Sequence, residues 1–208
     1  MRVRITAATG VLLLAALTAC GGGGGDDSSP KPEAAPTSEP AQSSEPSAGT
    51  VEESAKLGTP ARTTGDGGTG VLEITPDTVV FTKQGGSETS ANGTFVVVTM
   101  KDKAMTAVAA DEPAPITGQG WKWMAPDGEM IGWDSGNSTN VTLGKFENAD
   151  PVQPGAWQWR SQVFDLTPEQ AKGGVLIYID GEEKAHRWQM PSTDSGPNVA
   201  AVKKELQP

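Results

Sequence analysis

The chain has 208 residues, with 16 Lys and Arg against 26 Asp and Glu, a formal net charge of −10, one cysteine and one histidine. That balance excludes nucleic acid as a partner, because displacing counterions from phosphates needs clustered Lys and Arg, and it sets the folded part against an anionic membrane surface. The single cysteine excludes an intrachain disulfide and a thiolate metal site, and every aromatic residue lies between Phe81 and Trp188, which confines the core to the middle of the chain.

The chain opens with Arg2 and Arg4, followed by the apolar run Val11 to Leu17. This is the layout of a signal peptide, and it is shorter than the roughly 20 apolar residues of a membrane-spanning helix. Leu17-Thr18-Ala19-Cys20 resembles the bacterial lipoprotein lipobox. The resemblance implies cleavage after Ala19 and a diacylglyceryl group, with palmitate-type chains, on the sulfur of Cys20. Two acyl chains matter because one gives only marginal anchoring at about 0.8 kcal/mol per buried methylene. An ordinary secretory signal that happens to end before a cysteine is the alternative. Removal of residues 1–19, whose only charged side chains are Arg2 and Arg4, takes the formal charge from −10 to −12.

From residue 20 to 66 the composition is Gly, Ser, Pro, Thr, Ala and acid, with Val51 and Leu57 the only large aliphatics. Such a segment buries too little apolar surface to offset the entropy of ordering it, so a disordered linker is expected. As a coil it would average about 40 Å end to end. A spacer is the simpler reading; sugars on its Ser and Thr, or a partner recruited by its prolines, are the alternatives.

Residues 67–191 carry short apolar or alternating runs punctuated by Gly, Pro, Asn and Asp, and they lack a sustained 3.6-residue period. Strands are expected at 71–75, 79–83, 94–101, 120–124, 130–133, 140–143, 157–166, 175–180 and 186–190. The run Thr94 to Lys101 is apolar on both faces and reads as a central strand. Asp180-Gly181 marks a hairpin, with residues 182–185 lengthening its loop. Thr167-Pro168-Glu169-Gln170 predicts one capped helical turn that Gly173-Gly174 stops. Residues 192–208 are polar and read as a flexible tail.

Nine short strands and almost no helix point to an all-β antiparallel sandwich. The strand after a polar linker, the run 94–101, the turns Pro126-Asp127-Gly128 and Pro154-Gly155, and the strand end Val163-Phe164-Asp165-Leu166 resemble the immunoglobulin-like domain of actinobacterial and firmicute lipoproteins. That group includes the telokin-like domain of unknown function and the mycobacterial immunoprotective antigen. The resemblance implies a secreted immunoglobulin-like fold and supplies no catalytic residues.

Trp121 and Trp123 stand two apart, as do Trp157 and Trp159, so within a strand each pair shares a face. Core packing is the expectation, and outward-facing rings would instead form a platform for a sugar or a protein partner. These four are the candidate binding residues. His186 is expected to lie exposed in a hairpin; the lack of a second histidine speaks against a transition-metal site, and His186 is the sole candidate base for a nucleophilic triad. Asp127, Glu129 and Asp134 lack the spacing of a calcium loop. No phosphate-binding glycine loop or Gly-x-Ser-x-Gly elbow occurs. The expectation is a binding module without catalytic activity or cofactor, held by lipid on Cys20 to the extracytoplasmic face of the cell membrane. Its partner would be a cell-envelope protein or glycan; carbohydrate binding is the narrower alternative and a hydrolase the remaining one.

Overall fold

A computed structural model describes residues 53–115 and 118–208. The expected signal peptide, Cys20 and the linker up to residue 52 lie outside the described residues.

The fold grows from the β-branched run near residue 96. Strand β6 (Thr94–Ala104) sends Val96, Val98, Met100 and Ala104 to one face and Phe95 and Val97 to the other, all buried. Strand β3 (Val71–Thr82) runs antiparallel beside it, from Leu72 opposite Ala104 to Thr82 opposite Phe95. The sequence reading broke this strand in two at Pro76-Asp77. The structure carries it through with a register shift between Pro76 and Thr78, so Asp77 is the extra residue of a bulge. Pro76 lacks an N–H to give the ladder, and a bulge is one of the few places a strand accepts proline.

On the other side of β6 lies β9 (Trp157–Leu166), paired along its whole length. With β2 (Ala61–Thr64) on the outer edge of β3, the first sheet has the order β2-β3-β6-β9. The second sheet contains β1 (Ala55–Lys56), β7 (Gly120–Met124), β8 (Met130–Gly132), β10 (Val175–Ile179) and β11 (Ala185–Gln189), in the order β1-β11-β10-β7-β8. Its β1–β11 pair is parallel, so the sheet is mixed rather than wholly antiparallel as expected. A small hairpin of β4 (Gln84–Gly85) and β5 (Glu88–Thr89) follows β3. The described residues are all-β, with two short α-helices.

The sheets share one core, in which Leu72, Ile74 and Phe164 from the first meet Trp121, Trp123, Leu176, Tyr178 and Trp188 from the second. A second core forms on the outer face of the first sheet. There Val80, Phe95, Val97 and Val163 are covered by Val141, Leu143 and Phe146 and by helix α2 (Val199–Glu205), through Val202 and Leu206. Each such side chain fully removed from water contributes about 1.5–3 kcal/mol. The expected strand at 140–143 is instead a 3-10 turn over Ser138–Asn140, after which Val141 and Leu143 plug this second core.

Two boundaries differ from the sequence reading. The linker assigned to residues 20–66 already contains β1 and β2, and the tail assigned to 192–208 contains α2. Backbone hydrogen bonds tie both places to the sheets, and α2 is held in addition by Val202 and Leu206. Gly58 N–H donates to the Pro76 carbonyl, Gly181 N–H donates to Thr64, and Ser195 and Val79 exchange N–H and carbonyl.

The helical turn forms as expected: α1 (Pro168–Ala171) has Thr167 and Gln170 in a reciprocal capping box, with proline in its first turn. The hairpin at Asp180-Gly181 also forms, with Ile179 opposite Ala185.

Candidate functional site

The outer face of the first sheet is covered only at the end that α2 reaches. Toward the other end the outward residues fall into two rows fixed by register. Arg62, Glu73, Lys103 and Trp157 form one row; Thr75, Lys101 and Trp159 form the next. Trp157 is 53% exposed, the most exposed large apolar side chain among the described residues. Trp159 is half-buried and packs edge-on against Phe146, with ring centroids 5.4 Å apart, while Trp157 meets Trp159 at 5.5 Å and 90°. The Lys101 ammonium lies 4.8 Å from the Trp159 ring and 5.2 Å from the Trp157 ring, a cation–π contact that fixes the amine in the angle between the indoles. Glu73, Thr75, Lys101, Lys103 and Trp157 line a cleft of about 290 Å³. Thr75 and Lys101 also line a second cleft of about 700 Å³, which reaches Lys56, Gln189 and Pro191.

Trp121 and Trp123 are not part of this surface; they are 5% and 0% exposed. Their strand, β7, lies between β10 and β8, and its odd-numbered residues point into the shared core. Both indole N–H groups are satisfied there: Trp121 donates to Glu112 Oε2 at 2.9 Å and Trp123 to the Gln170 carbonyl at 2.9 Å. The two tryptophan pairs therefore separate, one pair filling the core and the other building an outward face. Identical i, i+2 spacing could not distinguish them. The distinguishing signal is the partner strand, which places Lys101 and Lys103 opposite Trp159 and Trp157.

Sequence reasoning missed a polar cluster inside the protein. Asp102 points into the shared core and is fully buried, and neither of its oxygens has a hydrogen-bond donor in its ionised form. Burial, then the charge of Glu112 and a hydrogen bond shared with it, push Asp102 well above the usual carboxylate range, with Asp111 adding to the rise and Arg160 opposing it. Arg160 Nε approaches Asp102 Oδ2 at 3.4 Å, and its Nη2 donates to Asp111 Oδ1 at 2.6 Å. Its guanidinium stays charged, because the three carboxyls around it outweigh the effect of its burial. Burial, with Glu112 and Asp102 nearby, also raises the Tyr178 phenol far above its ordinary range, so it stays protonated. Asp102 thus favours its protonated form, and the bond from Arg160 to Asp111 clasps the loop at Asp111–Glu112 to the sheet.

His186 is also placed differently from expectation. Its side chain is only 9% exposed, and Nε2 lies 2.9 Å from Asp180 Oδ2. Burial opposes ionisation of Asp180, but bonds from His186 and from the N–H groups of Thr64, Lys184 and Glu182 hold its carboxyl below the usual range. The pair ties the β10–β11 turn to β2. Asp127 accepts the Glu129 N–H and Glu129 accepts from Gln170, so these acids serve the 125–130 turn and α1. Among the described residues no group of three or more His, Asp or Glu side chains is placed to hold a metal ion. No described helix is long and apolar enough to cross a membrane. No family model, curated protein or solved structure matches the chain.

Proposed function

We propose that this protein is a non-catalytic binding module, lipid-anchored through Cys20 on the extracytoplasmic face of the cell membrane, and that the outer face around Trp157 is its contact surface. The anchor rests on the sequence from Arg2 to Cys20. The immunoglobulin-like arrangement is the finer description of the fold. It is supported by two sheets sharing one core, with the chain crossing between them from β1 to β2, β6 to β7, β8 to β9 and β9 to β10.

One observation carries the choice of surface: a half-exposed tryptophan stands in the open part of a sheet face whose other end is sealed by a second core. Water-exposed indole is costly to leave uncovered, and such rings mark contact sites. The only histidine, His186, is engaged by Asp180 inside the hairpin, which suits a structural role better than activation of a nucleophile. Carbohydrate binding through tryptophans is the narrower reading. The flat exposed indole of Trp157 beside lysine and threonine favours it, and its site then excludes Trp121 and Trp123.

The test places a photoreactive residue at position 75 of the full-length protein in its native cells. Irradiation is expected to yield a discrete adduct in the membrane fraction that is lost in Trp157→Ala and, through detachment, in Cys20→Ala. An adduct pattern unchanged by both substitutions would contradict the proposal.

A further inference from the structure

Resting on the binding role proposed above, we infer that the outer-face groove accepts an anionic saccharide, one sugar ring stacking on Trp157 while its carboxylate or phosphate sits against the Lys101 and Lys103 ammonium groups. The chain as a whole is strongly acidic, yet this face is not. Arg62, Lys101 and Lys103 stand on the two rows, and Lys56 lines the adjoining cleft. Against them stand Glu73, whose carboxylate faces Arg62 at 4.0 Å, and Asp77, which accepts from Thr99 and Asn198. Lys101 lies over the two indoles, and Lys103 shares Glu73, its neighbour in register, with Arg62, so the cations of these rows outnumber their carboxylate. A local excess of unneutralised ammonium on a molecule of opposite net charge is a complementary surface for an anion.

The aromatic row adds the second half of the recognition. Sugars present an apolar C–H face that stacks on indole and a rim of hydroxyls that hydrogen-bond to short polar side chains. Trp157 supplies the first, and Thr75 and Glu73 line the same cleft to supply the second. The 290 Å³ and 700 Å³ clefts share Thr75 and Lys101, so the groove continues past the tryptophan and suits an oligomer better than a monosaccharide.

Two other occupants fit less well. A symmetric contact with a second copy would bring the same cations face to face. A membrane surface would require a cluster of exposed apolar side chains, but neither of the other large exposed apolar residues, Val108 and Met130, lines either cleft.

Calorimetric titration of the full chain in detergent tests the proposal, with oligogalacturonate as the acidic probe and cellopentaose as the neutral one. Oligogalacturonate is expected to bind at least about tenfold more tightly than cellopentaose, a difference of about 1.4 kcal/mol. Trp157→Ala, whose exposed ring leaves the core untouched, is expected to reduce that affinity about tenfold, and Lys103→Glu at least as much. Binding should also weaken as the Debye length falls from about 30 Å to about 3 Å with added salt. Equal affinity for both probes, or acidic binding unmoved by Trp157→Ala and Lys103→Glu, would overturn the assignment. So would dimerisation abolished by Trp157→Ala. Failure of these titrations with the position-75 adduct still dependent on Trp157 would remove the ligand class and leave the contact surface standing.

Discussion

At the scale of single residues, Asp102 shows how a charge can be placed in a core by surrendering it. Ionised, it would stand beside Glu112 with Arg160 Nε 3.4 Å away but no hydrogen bond to either oxygen, a state costing several kcal/mol. Taking up a proton removes that cost. The folded protein therefore holds a proton that the unfolded chain releases near the ordinary value of 3.8. The stability this contributes is fully present below 3.8 and declines as pH rises from there through the higher folded value. Asp165 and Asp180 act oppositely. Asp165 is held low, against the effect of burial, by N–H donors from Asn137, Ala91 and Asn92 and by the Ser90 hydroxyl. The stability these two carboxylates contribute is present above 3.8 and is lost as pH falls below it. Asp102→Asn keeps the shape of the side chain without a titrating proton. Chemical denaturation from pH 4 to 8 is expected to show a flatter decline for this variant than for the wild type, and parallel curves would mean that burial does not raise Asp102 in the folded protein. None of this was legible in the sequence, where Asp102 sits in Lys101-Asp102-Lys103 and reads as solvated charge. Only the alternation of β6, carried two residues beyond its apolar run, turns Asp102 inward and both lysines outward.

At the scale of elements, legibility follows the size of the apolar signal. The runs at 94–101, 120–124 and 157–166 reappear as β6, β7 and β9, two of them with the expected bounds, because their side chains carry the packing. The capped turn at Thr167 was readable for a different reason, since a capping box is a local hydrogen-bond pattern complete within four residues. Elements held by long-range backbone pairing escaped. Ala61-Arg62-Thr63-Thr64 has no large apolar side chain, and it is a strand only because β3 offers it a ladder. Helix α2 is an intermediate case: Val199, Val202 and Leu206 follow the 3-and-4 spacing of a helix face, but one face of seven residues is faint beside a polar background. Leu206 is 5% exposed and closes the second core. Leu206→Ala is expected to cost about 2–4 kcal/mol, read as a lower denaturation midpoint at unchanged slope. A loss below about 0.5 kcal/mol, within the range of an ordinary surface substitution, would show that α2 is not integral to the fold.

At the scale of the whole molecule, the two cores divide the labour of the first sheet. One end of its outer face is spent on α2 and the 138–146 segment, and the other remains open with Trp157, Lys101 and Lys103. The sequence pointed to tryptophans as the place to look, and half of that indication survives: four were nominated, Trp157 and Trp159 reach the surface or its edge, and Trp121 and Trp123 do not. Which half would survive was unreadable because strand order, not strand composition, decides which face of β7 or β9 meets the other sheet. Fold class was legible from the short apolar runs, their turns and the absence of a helical period. The mixed pairing of β1 with β11 was not, since two residues carry no pattern.

Hydroxyl-radical footprinting of the full-length protein in intact cells, compared with the purified protein, tests the contact surface most directly. Met130, 48% exposed on the opposite sheet, serves as the internal control. Trp157 is expected to be oxidised several-fold more slowly in cells while Met130 is unchanged; equal oxidation of Trp157 in both settings would contradict the assignment of the outer face as the binding surface.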